Sequence, residues 1–318
     1  RKSPGGARVT PRELVALQFL ARAQPITSRH YQDLLQVSGP IARRSLRKLK
    51  NLGLIHVHVR ALHELSRYTL AAPARRHLAR VTGQDPTSFR VMRGIGRVQL
   101  DHHEAAVDLL VWLTVACAKS RSWSLERALL EREIRAQLGT RARGAQVPDG
   151  IAVLVHREGH RRTYALEIDR STENVSYVVA TKVEGYAALH EAGRSIAGCP
   201  DWRVLCTAPT QRRVNRLAVG SWNADVPEGL WYFAHHEALS SATVLTNTWR
   251  TPRLTAEGRA KLVAESPFNP GMGGTAEWYN RCTPRTEPTN QNSNVPFTDC
   301  SMHSVAWTVH YFLKCTFM

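Results

Sequence analysis

The sequence predicts a mixed α and β protein: a helical N-terminal part followed by an α/β part with a mixed sheet. Amphipathic helix patterns follow one another closely in the first hundred residues, and strand and helix patterns alternate afterwards. The net charge of +17 is also uneven, because residues 1–100 hold 19 Lys and Arg against 4 Asp and Glu. Such segregation favours a polyanion-binding module at the N-terminal end.

Three helices are predicted in succession at the start of the chain. The first, over residues 10–24, has Thr10 as its N-cap, Pro11 at its first position and Glu13 in the capping-box position. The second covers residues 27–37. The third covers residues 38–55 and ends at Gly53, a residue type that commonly terminates helices.

The third helix is the basic one, and two short strands follow it near residues 54–70. Three helices and a hairpin are the order of a winged helix-turn-helix, which we predict over residues 1–81. The cations expected to contact phosphates of double-stranded DNA are Arg43, Arg44, Arg47, Lys48, Lys50, Arg60 and Arg67. The alternative is a solvated basic face that has no specific partner.

Composition divides the rest of the chain into three parts. Residues 82–99 are predicted to be a linker, residues 100–252 an α/β domain, and residues 253–318 an irregular tail rich in Asn, Thr, Pro and Gly. No apolar run reaches the length of a membrane span. The six cysteines include no CxxC pair. We therefore expect a reduced, cytoplasmic protein with no structural metal and no membrane contact.

The segment "QVPDGIAVLVHREGHRRTYALEIDRSTE" (146–173) carries the most informative acidic residues. Asp149 stands at the start of one predicted strand, and Glu167 and Asp169 end its hairpin partner. Residues i and i+2 of a strand share a face, so these three carboxylates are expected to converge. Oxygen ligands of this kind suit Mg²⁺ or Mn²⁺, which can activate water against a phosphodiester.

This constellation resembles the PD-(D/E)xK nuclease superfamily through Pro148-Asp149 and Glu167-Ile168-Asp169. The lysine of that motif should stand at Asp169, and Lys182 is the candidate replacement. The resemblance implies catalytic roles for Asp149, Glu167, Asp169 and Lys182, with metal held by Asp149 and Glu167. An acid of the preceding helix, Glu104 or Asp108, is expected to join the metal site. In an active enzyme the cofactor is Mg²⁺ or Mn²⁺, and otherwise there is none.

The order of motifs also resembles the replication-relaxation family of bacterial plasmid and mobile-element proteins. The segments that carry this likeness include "VTPRELVALQFLAR" (9–22), "ARRSLRKLKNLGLI" (42–55), "HHEAAVDLL" (102–110), "ALEIDRSTE" (165–173) and "TNTWRTP" (246–252). The resemblance implies a winged helix joined to a nuclease-like domain. It also implies a role in replication, relaxation or mobilisation.

Three functions are consistent with these patterns. The first is a DNA-binding protein of a plasmid or mobile element, for which a homodimer and relaxase or replication proteins are the expected partners. The second is a Mg²⁺- or Mn²⁺-dependent endonuclease that nicks or cleaves DNA. The third is a winged-helix transcriptional repressor whose second domain forms oligomers. A nuclease fold without catalysis, in which Glu167 and Asp169 pair with neighbouring arginines, remains an alternative to the second.

Overall fold

A computed structural model describes residues 8–58, 65–92, 97–142, 146–224, 226–254 and 260–268. The chain divides into two compact units, with the boundary between Lys119 and Ser120. The first unit is mainly helical, and the second is built on a seven-stranded sheet. The predicted mixed α and β fold class is confirmed. None of the helices in the described ranges is long and apolar enough to cross a membrane.

The first unit begins with three helices and a hairpin. Its elements are α1 (Pro11–Ala23), β1 (Ile26–Thr27), α2 (Ser28–Leu35), α3 (Gly39–Asn51), β2 (Ile55–His58), β3 (Arg67–Leu70), α4 (Ala72–Thr82) and α5 (Arg97–Lys119). Strand β3 lies between β1 and β2 and is antiparallel to both. Helix α3 ends before Gly53, whose φ of 67° is the left-handed conformation that favours glycine.

Glu13 connects α1 to α3. The Thr10 side chain accepts a hydrogen bond from the Glu13 backbone, and Glu13 Oε2 accepts one from the Thr10 backbone (2.8 Å), which forms a capping box. Ser45 Oγ and Lys48 Nζ of α3 also donate to the same carboxylate, at 3.0 and 2.8 Å. Burial raises the pKa of Glu13, but the hydrogen bonds from Lys48, Thr10 and Ser45 outweigh burial and lower it.

Helix α5 is fixed within the first unit by polar contacts as well as by apolar burial. His30 Nε2 of α2 lies 3.0 Å from Asp108 Oδ1, and His103 Nε2 lies 3.1 Å from the Ala23 carbonyl oxygen. The sequence pattern had placed this helix with the second domain, after a linker at residues 82–99. The contacts instead group it with α1–α4, because its polar side chains find their partners there.

The second unit alternates strands and helices. Its elements are β4 (Trp123–Leu130), α6 (Glu131–Leu138), β5 (Gly150–His156), β6 (Arg161–Ile168), α7 (Val175–Val178), a π-helical segment (Val179–Val183), α8 (Glu184–Glu191), β7 (Trp202–Ala208), α9 (Gln211–Asn223), β8 (Trp231–His235), β9 (Trp249–Leu254) and β10 (Ala260–Glu265). Strand β10 lies within residues 253–318, which composition predicted to be irregular. Residues 269–318 lie outside the described residues.

The sheet has the strand order β10-β9-β8-β7-β6-β5-β4. Strands β6, β7 and β8 are parallel, and the remaining neighbours are antiparallel. Helices α7–α9 cover the parallel strands, where Tyr186, Trp202, Leu217, Trp231 and Phe233 form much of a buried apolar cluster. Strands β5, β6 and β7 are buried along almost their whole length, as expected when both faces of a sheet are covered.

Substitution Glu13→Gln should destabilise the first unit by about 1–3 kcal/mol, because an amide cannot accept all three hydrogen bonds and Lys48 loses its carboxylate partner. The pKa of Glu13 is lowered in the folded state. Its stabilising contribution is therefore present above the ordinary carboxylate pKa and is lost as the pH falls through the lowered value. Urea unfolding at pH 7 and pH 4 measures both effects.

The matched control is Glu131→Gln on α6. Glu131 pairs with Arg135, and the side chains of the two residues are 42% and 51% exposed, so the change should stay within about 0.5 kcal/mol. Equal effects of the two substitutions would contradict the connecting role of Glu13.

Candidate functional site

Two of the predicted carboxylates meet where β5 begins and β6 ends. Asp149 immediately precedes β5, and its Oδ2 accepts a hydrogen bond from the Ile168 backbone N–H at 2.8 Å. Glu167 is the second-last residue of β6, next to Ile168. Both side chains are buried, with residue exposures of 8% for Asp149 and 2% for Glu167. The antiparallel pairing of β5 with β6 therefore brings the two acids to one edge of the sheet.

Gly150 allows the chain to pass close to its neighbours beside Asp149. A Cβ atom at this position would lie 3.1 Å from the Leu129 carbonyl oxygen and 3.2 Å from Leu166 Cδ1. These distances are shorter than ordinary van der Waals contact, so a larger side chain would push β5 away from its neighbouring strands. The close packing around β5 therefore explains the glycine of the Pro148-Asp149-Gly150 sequence, independently of any catalytic role of that sequence.

Lys182 and Tyr186 bind the Glu167 carboxylate from the helical layer. Lys182 Nζ donates to Glu167 Oε2 at 2.6 Å, and the Tyr186 hydroxyl donates to Oε1 at 2.7 Å. Lys182 lies in the π-helical segment Val179–Val183, an irregularity that is frequent at functional sites. The predicted replacement lysine therefore reaches the glutamate of the motif.

The charges at this site are strongly coupled. Burial, followed by the negative charge of Asp149, raises the pKa of Glu167 to about 7, although Lys182 and Tyr186 favour its ionised form. Burial lowers the pKa of Lys182, but Glu167 and Asp149 outweigh it and raise that pKa above its ordinary value. Lys182 is therefore a cation at neutral pH, beside two acids that repel each other.

Cys206 is a further buried group at this edge. It is the parallel partner of Glu167 on β7, and its residue exposure is 3%. Burial and the charges of Asp169 and Glu167 raise the pKa of its thiol well above the ordinary value. The thiol therefore stays neutral and is not a candidate nucleophile at physiological pH.

Asp169 has a different environment from the other two acids. Arg213 of α9 donates from Nε to Asp169 Oδ2 at 2.7 Å and from NH2 to Oδ1 at 2.9 Å. Both side chains are almost fully buried. This bidentate pair neutralises the carboxylate, so the expected convergence of three acids is reduced in the structure to Asp149 and Glu167.

Glu104 and Asp108, the two acids of the preceding helix, have partners within the first unit. Glu104 accepts hydrogen bonds from Arg67, and Asp108 accepts one from His30 if the imidazole carries its proton on Nε2. Within the described ranges, no group of three or more His, Cys, Asp or Glu side chains could hold a metal ion.

The donor set fits one kind of cation site. Mg²⁺ is usually held by one or two carboxylates, with water and phosphate oxygens completing its shell. Asp149 and Glu167 provide two carboxylates whose repulsion a divalent cation would relieve. They fit a cation that is shared with a phosphate-bearing ligand, and they do not fit a cage made only of protein atoms.

The predicted DNA-binding cations fall into two groups. Arg43, Arg44, Arg47 and Lys50 are exposed on α3. Lys48 pairs with Glu13, and Arg67 pairs with Glu104, so these two face carboxylates of their own unit. Arg60 lies outside the described residues.

Two residues of the site were absent from the sequence prediction. Tyr186 follows Lys182 by four residues, a spacing that places both on one helical face and could have identified it. Arg213 offered no comparable signal, because it lies 44 residues after its partner Asp169, on a helix that follows another strand.

The fold and the site define a mixed α and β protein with a partly parallel sheet, at whose edge lie two buried acids, one of them bound by a lysine. The sequence profile of the replication-relaxation family matches residues 17–199, which is more than half of the chain, and the protein belongs to that family. No curated protein matches the chain significantly, and no solved structure does.

Raising the pH should weaken the folded state through Glu167. The pKa of this carboxyl is raised to about 7 in the folded protein, against an ordinary value of 4.5. The folded state therefore binds more protons than the unfolded state between these values, and stability falls as the pH rises through this window. Glu167→Gln cannot ionise, so its stability relative to the native chain should improve from pH 5 to pH 8 in urea unfolding.

Glu184→Gln is the matched control, because Glu184 is exposed on the adjoining helix α8. Its stability relative to the native chain should not change over the same pH range. A Glu167→Gln variant that lost relative stability on going from pH 5 to pH 8 would contradict the raised pKa.

Proposed function

We propose that this protein binds double-stranded DNA through the exposed face of α3 and acts in replication or relaxation of a plasmid or mobile element. The observation that carries the proposal is the distribution of charge on α3. Four cations, Arg43, Arg44, Arg47 and Lys50, are exposed on a helix that contains no acid. Cations displayed in this way suit a polyanion such as the DNA backbone.

The same helix is anchored by its opposite face. Ala42, Leu46 and Leu49 are buried, so the exposed side is fixed in orientation by packing of the apolar side. In the described part of the chain, no carboxylate lies within ion-pair distance of the four exposed cations. They are therefore available for phosphates, in contrast to Lys48, which Glu13 binds.

The neighbouring elements support a winged helix-turn-helix as the frame for this face. Helices α2 and α3 are consecutive, and the antiparallel strands β2 and β3 follow α3 directly. In such a frame α3 enters the major groove and the hairpin contacts the adjoining backbone. Residues 59–64, between β2 and β3, are outside the described residues.

Family membership supports the biological role. The family is described by replication and relaxation, which are processes that act on DNA. It favours this role over the alternative of a repressor whose second unit only forms oligomers. A homodimer and relaxase or replication proteins are the proposed partners, and the proposed location is the cytoplasm.

Neutralising part of the α3 face should weaken binding and flatten its salt dependence. Four phosphate contacts give a slope of log affinity against log salt near −3.5, and Arg44→Gln with Arg47→Gln should reduce its magnitude by about 2. Fluorescence anisotropy with a labelled duplex at several salt concentrations measures both quantities.

The control variant carries Arg135→Gln and Arg157→Gln, two exposed arginines of the second unit, and loses the same charge. It should bind with the native affinity and slope. If both double variants lost affinity equally, net charge and not the α3 face would account for binding, and the proposed interface would be wrong.

A second candidate function is metal-dependent DNA cleavage, favoured by the contact of Lys182 with Glu167 beside Asp149. In this function Asp149 and Glu167 hold Mg²⁺ or Mn²⁺, which would activate water when bound. Lys182 stabilises negative charge on the phosphate. Asp169 acts indirectly, because its pair with Arg213 fixes the adjoining end of β6.

Cleavage is tested with supercoiled plasmid in Mn²⁺, Mg²⁺ or EDTA. Metal-dependent nicking should disappear in Glu167→Gln and fall about 100-fold in Lys182→Gln, a typical cost of losing one stabilising group. Glu184→Gln should nick as the native chain does. Absence of nicking in either metal, or nicking that survives Glu167→Gln, would contradict the catalytic role and leave DNA binding by α3 untouched.

A further inference from the structure

Helix α9 displays a second acid-free basic face, in the other unit from α3. Its sequence, QRRVNRLAVGSWN, contains three arginines and no Asp or Glu. Arg212 and Arg216 are exposed and lie one helical turn apart, so they share a face. Gln211 and Asn215 are exposed beside them, and their side chains hydrogen-bond to each other at 2.9 Å.

The third arginine of α9, Arg213, has a structural role. Arg213 is buried and binds both oxygens of Asp169, and Val214 and Leu217 pack into the apolar cluster under the helix. These contacts fix the orientation of α9. Arg212 and Arg216 are consequently held outward on a rigid support, while the charge of Arg213 is already compensated.

The basic face lies beside the candidate acid pair. Strands β6 and β7 are parallel, and the Asp169 backbone N–H donates to the Thr207 carbonyl oxygen at 2.8 Å. Both strands thus end at the same edge of the sheet, where α9 begins two residues after Pro209. A strand of nucleic acid that contacts Arg212 and Arg216 would run next to the edge that contains Glu167.

An exposed aromatic residue belongs to the same helical layer. Tyr177 on α7 is 56% exposed, so its ring is accessible to a ligand. Segment 173–179 runs along α9: the Glu173 carbonyl oxygen accepts from Arg213, and a Cβ at Gly220 would come within 2.6 Å of Val179. Val175 and Val179 lie against Gly220 of α9, and Tyr177, two residues from each of them on α7, points away from α9 into solvent.

We propose that the outer surface of α7 and α9 binds single-stranded DNA, with Arg212 and Arg216 on the phosphates and Tyr177 stacked on a base. A base can stack on an aromatic ring only when its face is free, as in a single strand, and such stacking tolerates any sequence. Glu173 and Glu184 are exposed on the same layer.

This proposal extends the proposed DNA-binding function, because it assigns the duplex to α3 and a separated strand to the second unit. Replication and relaxation of duplex DNA both expose single strands. The two surfaces carry separate residues, so each can be removed without changing the other.

The test uses the full chain and a labelled oligothymidine of about 20 nucleotides, longer than a typical single-strand site. Arg212→Gln with Arg216→Gln should weaken binding roughly tenfold and reduce the magnitude of the salt slope by about 1.4. Tyr177→Leu should weaken it about tenfold, whereas Tyr177→Phe, which keeps the ring, should bind as the native chain does. Arg135→Gln with Arg157→Gln is the control of equal charge.

The proposal would be overturned by native affinity in the double α9 variant, by equal losses in that variant and its control, or by native affinity in Tyr177→Leu. A loss of duplex binding as large as the loss of single-strand binding would also overturn it. Thermal unfolding confirms that each variant is folded. If Arg44→Gln with Arg47→Gln leaves duplex binding unchanged, the α3 proposal fails alone, because the oligothymidine series does not depend on it.

Discussion

The second unit depends on the compensation of buried negative charge at the end of β6. Glu167 lies on the buried strand β6 and Asp169 directly follows its last residue, and each receives a cation from a different helix. Lys182 fixes the π-helical segment over Glu167, and Arg213 fixes α9 over Asp169. Removing either cation would leave a buried charge without its partner, which is among the most costly changes in a protein interior. The helical layer and the candidate site therefore share one set of interactions.

The cations of this chain divide into those that stabilise the units and those that face solvent. Lys48, Arg67 and Arg213 neutralise acids of their own units. Arg47 and Arg216 stand on helices of similar composition but point outward. Sequence alone does not separate these groups, since an arginine contributes equally to net charge in either position. The proposed DNA-binding surfaces are made of the exposed cations that are left when the cations of these ion pairs are set aside.

The helices of the first unit could be predicted because their signals are local: Thr10 and Glu13 mark a start, and Gly53 marks an end. The alternation of side chains along a strand and the pairing of the two hairpin strands likewise predicted that Glu167 would lie near Asp149. The ion pair between Asp169 and Arg213 could not be predicted, since Arg213 lies on α9, which follows a different strand, β7. The sequence also did not predict that α5 belongs to the first unit, because its apolar pattern fits any buried helix. The contacts of Asp108 and His103 with residues of the first unit show where it packs.

We propose above that the outer face of α3 contacts duplex DNA. Lysine acetylation, measured with and without a duplex, is the most direct test of this contact. Lys50 is exposed on that face, whereas Lys119 is exposed at the end of α5 in the same unit. DNA should protect Lys50 from acetylation and leave Lys119 as reactive as in the free protein. Equal reactivity of Lys50 in the free and bound protein, under conditions where the duplex is bound, would contradict it.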